Sequence, residues 1–158
     1  MHKTDGPWDC SNPPKTHPRS EMSLRPMNYN SGHHQFQAWI TVPAGTHEAC
    51  IMQIFGAKDK ASAYMMRVFN ENGGTVKHYG TEVLASGIYD KEFKYNVIHD
   101  TPSHKVHVYI NDKLVLTTED GGYPSEGFWY FKTGVYMQKE DASYLMQVKV
   151  RDITLWRK

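Results

Sequence analysis

Three short segments of the sequence carry cationic, amide and phenolic side chains that could act together on one ligand. They are RSEM at 19–22, QIF at 53–55 and YFKTGVYMQ at 130–138. Successive side chains of a β-strand point to opposite faces. Tyr130, Lys132, Tyr136 and Gln138 therefore share one face of the third segment, where Gly134 leaves a gap. If the three segments are strands, their polar faces could line a single groove.

The same alternation sorts the side chains of the two shorter segments. Arg19 and Glu21 share one face of the first segment, and Gln53 shares one face of the second with Phe55. Polar and phenolic residues on a strand are most often only the solvent-facing side of a β-sandwich. Alternation alone therefore favours an ordinary solvent-exposed face, although it is also compatible with a binding groove.

Short strands separated by turn residues run through the rest of the sequence. We predict strands near 19–24, 34–42, 49–55, 63–69, 75–79, 92–98, 104–110, 113–118, 128–138 and 143–156. No window carries a clear helical stripe, although a short helix would suit 58–67. About ten strands with almost no helix indicate an all-β sandwich or barrel. Residues 1–18, which contain four prolines, are predicted as an extended arm before a single domain at 19–158.

The three segments resemble the signature motifs of the alginate lyases of polysaccharide lyase family seven. Those motifs are R-(S/T)-E-L, Q-(I/V)-H and Y-F-K-A-G-(V/I)-Y-N-Q. The order is the same here, and the third segment matches at seven of nine positions. The resemblance runs from about residue 16 to the C-terminus. It implies a two-sheet antiparallel β-jelly roll, a concanavalin-like sandwich, whose concave groove binds a glycan.

The resemblance also implies a reaction, the β-elimination of a uronate. A base removes the proton at C5, an acid protonates the oxygen at C4, and cationic or amide groups neutralise the carboxylate. Carried over by position, Arg19 and Gln53 hold the carboxylate, and Tyr136 is the acid and also a candidate base. The glycan-binding residues that the resemblance implies are Arg19, Glu21, Gln53, Phe55, Tyr130, Lys132, Tyr136 and Gln138.

The sequence departs from the family motifs at positions that matter for this chemistry. Phe55 stands where the middle motif has a histidine, and a phenyl ring can neither neutralise a carboxylate nor accept a proton. Ser23 stands where a second arginine is usual, and Met137 where the third motif has an asparagine. His34 is the best substitute for the missing histidine. The loss of positive charge favours a neutral glycan over a polyanion.

Three functions remain open on these residues. The first is a lectin-like, carbohydrate-binding protein on an alginate-lyase-like scaffold. The second is an active polysaccharide lyase in which Tyr136 serves as both acid and base. The third is a jelly roll with only a structural or protein-binding role, because a fold alone does not fix a function. The partner expected for the first two is an oligo- or polysaccharide, neutral or uronate-containing.

Composition argues against several other classes of protein. The net charge of +1 argues against nucleic-acid binding by counterion release, and no apolar run is long enough for a membrane span. No cofactor and no metal site are expected, because Cys10 and Cys50 lack metal-ligand spacing. Those two cysteines could form a disulfide or stay free. The polar N-terminus resembles no signal peptide, so we expect a cytoplasmic protein or a mature secreted form.

Overall fold

Eleven β-strands in two sheets form the described part of the chain, residues 1–7 and 16–158 of a computed structural model. The strands are β1 (Arg19–Ser23), β2 (His33–Thr41), β3 (Ala49–Ala57), β4 (Ala61–Phe69), β5 (Thr75–His78), β6 (Glu82–Ser86), β7 (Glu92–Asp100), β8 (Lys105–Ile110), β9 (Lys113–Glu119), β10 (Tyr130–Met137) and β11 (Lys149–Arg157). Two 3₁₀ turns lie at Arg25–Met27 and Lys58–Lys60. Within these residues no helix has the length and apolar character that crossing a membrane requires.

The strands form a six-stranded sheet with the order β1-β10-β3-β4-β5-β6 and a five-stranded sheet with the order β11-β2-β7-β8-β9. Every pair of neighbouring strands is antiparallel. This arrangement confirms the predicted two-sheet antiparallel jelly roll. It also places early parts of the chain next to late parts in both sheets, since β1 pairs with β10 and β2 pairs with β11.

The core lies between the sheets and is built from one face of each strand. On β2, Phe36, Ala38 and Ile40 are fully buried while the residues between them are partly exposed. This alternation recurs along β7 and β8. Because apolar burial is the main favourable term in folding, it determines which face of each strand points outward. The outward face of the six-stranded sheet is the one that carries the three motifs.

The predicted strands agree with the structure to within two residues at each end, except at β6 and at the start of β11. Strand β6 was not predicted, because Leu84 is its only buried residue and its exposed positions give no clear alternation. The last strand begins at Lys149 instead of 143. Before it, the backbone N–H of Met146 donates to Met1, and that of Gln147 donates to the Thr46 hydroxyl. These residues therefore serve loops and the N-terminus and not a sheet. The division into an arm at 1–18 and a domain at 19–158 stays a prediction.

A buried chain of hydrogen bonds joins the loop before β2 to β7 and to the turn after β9. Nε2 of His99 lies 3.1 Å from Asp120, and Nδ1 lies 2.9 Å from the Tyr29 hydroxyl. Since a carboxylate only accepts, His99 donates from Nε2 and accepts at Nδ1 from Tyr29. His104 and the backbone N–H of Gly122 also bond to Asp120. Burial lowers the pKa of His99, so the neutral imidazole is the form that fits this network.

Acidification from pH 7 to pH 5 should lower the free energy of unfolding. The pKa of His99 is lower in the folded chain than in the unfolded chain, so unfolding takes up a proton. The stabilisation that neutral His99 provides is complete above the pKa of about 6.5 that a histidine has in the unfolded chain. It is lost as the pH falls through the pKa of His99 in the folded chain, by up to about 1.4 kcal/mol per pH unit. Urea denaturation at successive pH values measures this slope. His99→Gln should reduce it, and an equal slope in both proteins would contradict the assignment.

Gly134 determines how closely β1 can approach β10. It lies opposite Glu21 in the pairing of these strands and has a φ of +142°. A Cβ atom at this position would overlap the carbonyl oxygen of Ser20 and lie 2.7 Å from Cα of Glu21. Because Gly134 has no side chain, it leaves a gap in the third motif, and the backbone of the first motif fits into that gap.

Gly134→Ala should lower the free energy of unfolding by at least about 2 kcal/mol, because it adds a backbone clash to an unfavourable φ. Gly45→Ala is the matched control, since Gly45 also has a positive φ, +89°, but nothing lies within 4 Å of its added Cβ. The free energy of unfolding of the control should fall by only about 1 kcal/mol, the cost of a positive φ for an alanine. Equal losses in urea denaturation would show that β1 is not held by this contact.

Candidate functional site

Three adjacent strands of the six-stranded sheet bring the three sequence segments side by side. Strand β10 lies between β1 and β3, and Lys132 is paired with Gln53 while Tyr136 is paired with Arg19. Directly paired residues of antiparallel strands project to the same face. We call this outward surface the motif face; its residues are Arg19, Glu21, Gln53, Phe55, Tyr130, Lys132 and Tyr136.

The carboxylate of Glu21 lies at the centre of the motif face, where its side chain is only 4% exposed. One oxygen accepts a hydrogen bond from Nζ of Lys132 at 2.5 Å and lies 3.8 Å from the Arg19 guanidinium. The other oxygen accepts from the side-chain amide of Gln53. A buried charge needs such partners, because loss of hydration otherwise makes it very unfavourable. Three residues predicted to contact a sugar thus contact Glu21 instead.

Both ends of the Gln53 side chain are engaged within the protein. Its amide nitrogen donates to Glu21, and its amide oxygen accepts from the hydroxyl of Ser62 on β4 at 2.7 Å. The residue is 2% exposed. A carboxylate only accepts hydrogen bonds, so contact with Glu21 fixes which end of the amide points into the site. One of the two N–H donors of this nitrogen is thus taken by Glu21, and the near-complete burial of Gln53 limits the access of a ligand to the other.

The Arg19 guanidinium lies over the ring of Tyr136, 3.9 Å from its centroid. Such a cation–π contact contributes about 0.5–2 kcal/mol, more when it is shielded from water. It holds the Arg19 side chain, which is 20% exposed, against the phenol. The Tyr136 hydroxyl has no hydrogen-bond partner among the residues that the structure describes, so it can bond to a ligand.

Two aromatic rings form the other half of the motif face. Phe55 and Tyr130 are paired in the sheet, and their ring centroids are 5.4 Å apart. Nζ of Lys132 lies 5.6 Å from the Phe55 centroid, and the Arg25 guanidinium lies 5.3 Å from that of Tyr130. Burial raises the pKa of Tyr130, although Arg25 opposes the shift. This part of the face therefore consists of two uncharged rings, each with a cation against it.

Two of the residues predicted from the sequence lie apart from this cluster. The Gln138 side chain, just past the end of β10, bonds to the backbone carbonyls of Tyr136 and Met137. His34 belongs to β2 in the five-stranded sheet. Its ring stacks on Tyr29 at 3.8 Å, and Nε2 lies 2.8 Å from the Ser31 carbonyl oxygen. The structure therefore does not bring His34 to the motif face as a substitute for a histidine at position 55.

Sequence reasoning missed a second ion pair beside the motif face. Arg67 of β4 is paired in the sheet with Cys50, and it donates to Glu48 at 2.9 Å and to the Tyr79 carbonyl at 2.7 Å. Alternation within the predicted strand 63–69 could have placed Arg67 on this surface. Its partner could not have been found, because Glu48 precedes β3 in a loop without a motif.

Cys50 is a free and fully buried thiol on the same side of the sheet as Tyr136, its partner in the strand pairing. Burial raises its pKa to about 12, so it is not an activated nucleophile. Its predicted alternative partner, Cys10, lies outside the described residues. Across residues 1–7 and 16–158, no group of three or more histidine, cysteine, aspartate or glutamate side chains is arranged to hold a metal ion.

The chemistry available on the motif face follows from these contacts. It offers a phenol beside a guanidinium, an aromatic pair, and polar groups held rigidly around one carboxylate. None of its residues is a histidine, and its one carboxylate is already engaged by Lys132 and Gln53. The arrangement can bind hydroxyl groups and sugar rings, but it holds no free base other than the Tyr136 phenol.

Glu21→Gln should lower the free energy of unfolding by about 3 kcal/mol, because it leaves the nearly buried Lys132 ammonium without a counter-charge. Glu126→Gln is the matched control, since its partner Arg25 is exposed, and surface pairs contribute at most about 1 kcal/mol. Adding Lys132→Met to Glu21→Gln should restore much of the loss. Equal effects of the two single substitutions in urea denaturation would show that Glu21 is not the centre of the network.

The chain is similar to known proteins over nearly its whole length. The family model described as alginate lyase matches residues 5–157. A citrate-binding protein from Hevea brasiliensis is 36% identical over 157 residues, which are 99% of this chain and 63% of that protein. The chain therefore spans less than two thirds of the length of this curated relative.

Solved structures of alginate lyases share the fold at low sequence identity. Alginate lyase AlgAT5 from polysaccharide lyase family 7 superposes with a TM-score of 0.71 and 20% identity, over 99% of this chain and 76% of that one. A variant of alginate lyase A1-II′ in complex with the substrate GGMG gives a TM-score of 0.66 and 15% identity, over 99% and 75%. Since the family model also covers almost the entire sequence, the chain belongs to the alginate lyase family.

Proposed function

We propose that this protein binds a glycan on the motif face without cleaving it. The observation that carries the proposal is the engagement of Glu21 by Lys132, Gln53 and Arg19. By the family resemblance, Arg19 and Gln53 would hold a uronate carboxylate, and Lys132 would bind a neighbouring sugar. Here they neutralise a carboxylate of the protein itself.

The aromatic half of the motif face supports sugar binding. Phe55 is half-buried beside Tyr130, so part of its side chain is accessible to a ligand. Aromatic side chains contribute large contact areas at little conformational cost. Polar groups held in place by the ion network add hydrogen bonds without the entropy loss of ordering flexible side chains. A phenyl ring where the family motif has a histidine thus adds a stacking surface while it removes a proton acceptor.

The runner-up function, an active lyase with Tyr136 as acid and base, has less support. Charge develops on the uronate carboxylate during elimination, and each missing preorganised donor typically costs about 100-fold in rate or more. Relative to the family motifs, Phe55 and Ser23 each remove a donor. We infer that elimination is absent or very slow even though the phenol remains.

A second candidate ligand is a small polycarboxylate, because the Hevea brasiliensis relative is a citrate-binding protein. The cations available for such a ligand near the motif face are Arg19, Arg25, Lys132 and Arg67, of which Arg25 is paired with Glu126. Each lies within 4.0 Å of a carboxylate of the protein, which lowers the net positive charge that a polycarboxylate would meet. A neutral glycan does not need these charges.

Calorimetric titration at moderate salt with neutral and uronate oligosaccharides, and with citrate, tests the proposal. We expect an oligosaccharide to bind, and Phe55→Ala to weaken its binding by about tenfold, the usual loss for a buried aromatic contact. Trp39→Ala is the matched control, because Trp39 lies on β2 in the other sheet. If citrate binds and no oligosaccharide does, the polycarboxylate candidate replaces the glycan.

The same oligosaccharides reveal catalysis through the ultraviolet absorbance of the unsaturated product. The unmodified protein should give no product or very little, Phe55→His should raise any residual rate, and Tyr136→Phe should abolish it. Depolymerisation of a uronate polymer at ordinary enzyme rates by the unmodified protein would overturn the binding-protein proposal in favour of the lyase.

A further inference from the structure

A group of adjoining cavities lies at one end of the sandwich, away from the motif face. Two cavities of about 320 and 480 Å³ share His34 of β2 and Arg157 of β11 in their walls. These two residues are directly paired in the five-stranded sheet, on the side that faces the other sheet. The cavities therefore open at the mouth between the two sheets. We call this region the sandwich mouth.

Arg157 is an exposed residue and is the one arginine among the described residues that makes no ion pair. Its guanidinium has no ion pair and no hydrogen bond within residues 1–7 and 16–158, whereas Arg151 on the same strand pairs with Glu92. The positive charge of Arg157 lowers the pKa of His34, a shift caused first by burial. The neutral His34 ring and an unpaired guanidinium thus lie in the same wall.

The 320 Å³ cavity combines this cation with an apolar floor. Its apolar lining is Pro26, Met27, Phe131, Leu155 and Trp156. Its polar lining includes the amide of Asn28 beside Arg157. This volume lies at the lower end of the range for small-molecule sites, which are mostly apolar with a few convergent polar groups. A guanidinium presents paired donors that match a carboxylate in geometry and charge.

We propose that the sandwich mouth is a second binding site, which takes a small organic acid with its carboxylate on Arg157 and its apolar body against Met27, Phe131 and Leu155. The apolar floor distinguishes this ligand from an inorganic anion, which would leave the floor exposed to water. The cation distinguishes it from a neutral apolar molecule. The site shares no residue with the motif face, so it does not depend on the glycan proposal.

Calorimetric titration with three probes separates the contributions of charge and apolar body. The probes are 3-phenylpropionate, its neutral amide 3-phenylpropionamide, and acetate. We expect 3-phenylpropionate to bind at least about tenfold more tightly than either of the others, because only it uses both the guanidinium and the floor. No binding of 3-phenylpropionate at millimolar concentration, or equal binding of its amide, would overturn the proposal.

Two substitutions locate the site, and a third serves as the control. Arg157→Gln should weaken the binding of 3-phenylpropionate by at least about tenfold. Met27→Glu should do the same by repulsion, and it is not expected to unfold the protein because Met27 is 48% exposed. Arg151→Gln makes the same change of charge on the same strand and should have no effect. An equal loss with Arg151→Gln, or none with the first two, would refute the site.

Phe55→Ala tests whether the sandwich mouth and the motif face are separate binding sites. It should leave the affinity for 3-phenylpropionate unchanged, while Arg157→Gln should leave oligosaccharide binding unchanged. A loss of 3-phenylpropionate binding in Phe55→Ala would place that ligand on the motif face and overturn the second site without touching the glycan proposal.

Discussion

One carboxylate, that of Glu21, organises the surface on which the three motifs meet. It lies on the edge strand β1, but its partners come from three strands, since it holds Lys132 of β10, Gln53 of β3 and Arg19 of its own strand. In a poorly hydrated setting these bonds are individually strong, and each unpaired member would be costly. The rotamers of the motif face are therefore largely set before any ligand arrives.

The two ligand sites inferred for this protein differ in how their charges are balanced. On the motif face, the cations are matched by Glu21, and nearby Arg67 is matched by Glu48. That surface is consequently polar and rigid but has little net positive charge. At the sandwich mouth, Arg157 lacks a partner within the described residues.

Sequence patterns predicted much of this architecture, and their failures have physical causes. Alternation placed Lys132 and Gln53 on one surface correctly, because the fold buries one face of each strand and the motif residues occupy the other. It could not reveal that Glu21 would hold them, since contacts across strands depend on register and backbone approach. The bulge in β10 after Thr133 and the close packing at Gly134 set that register. The position of His34 could not be predicted, because a residue at the end of a strand gives no indication of which sheet that strand joins.

The pairing of β1 with β10 has a consequence for how the protein folds. Glu21 and Lys132 are 111 residues apart in the chain, and contacts of such long range close slowly because a large loop must be ordered first. Strands β3 and β4, in contrast, are connected by a short turn and can pair early. A chain that is still growing or partly folded can therefore hold Gln53 in place before β10 and β1 have joined it. The motif face is complete only when the two ends of the sequence have met.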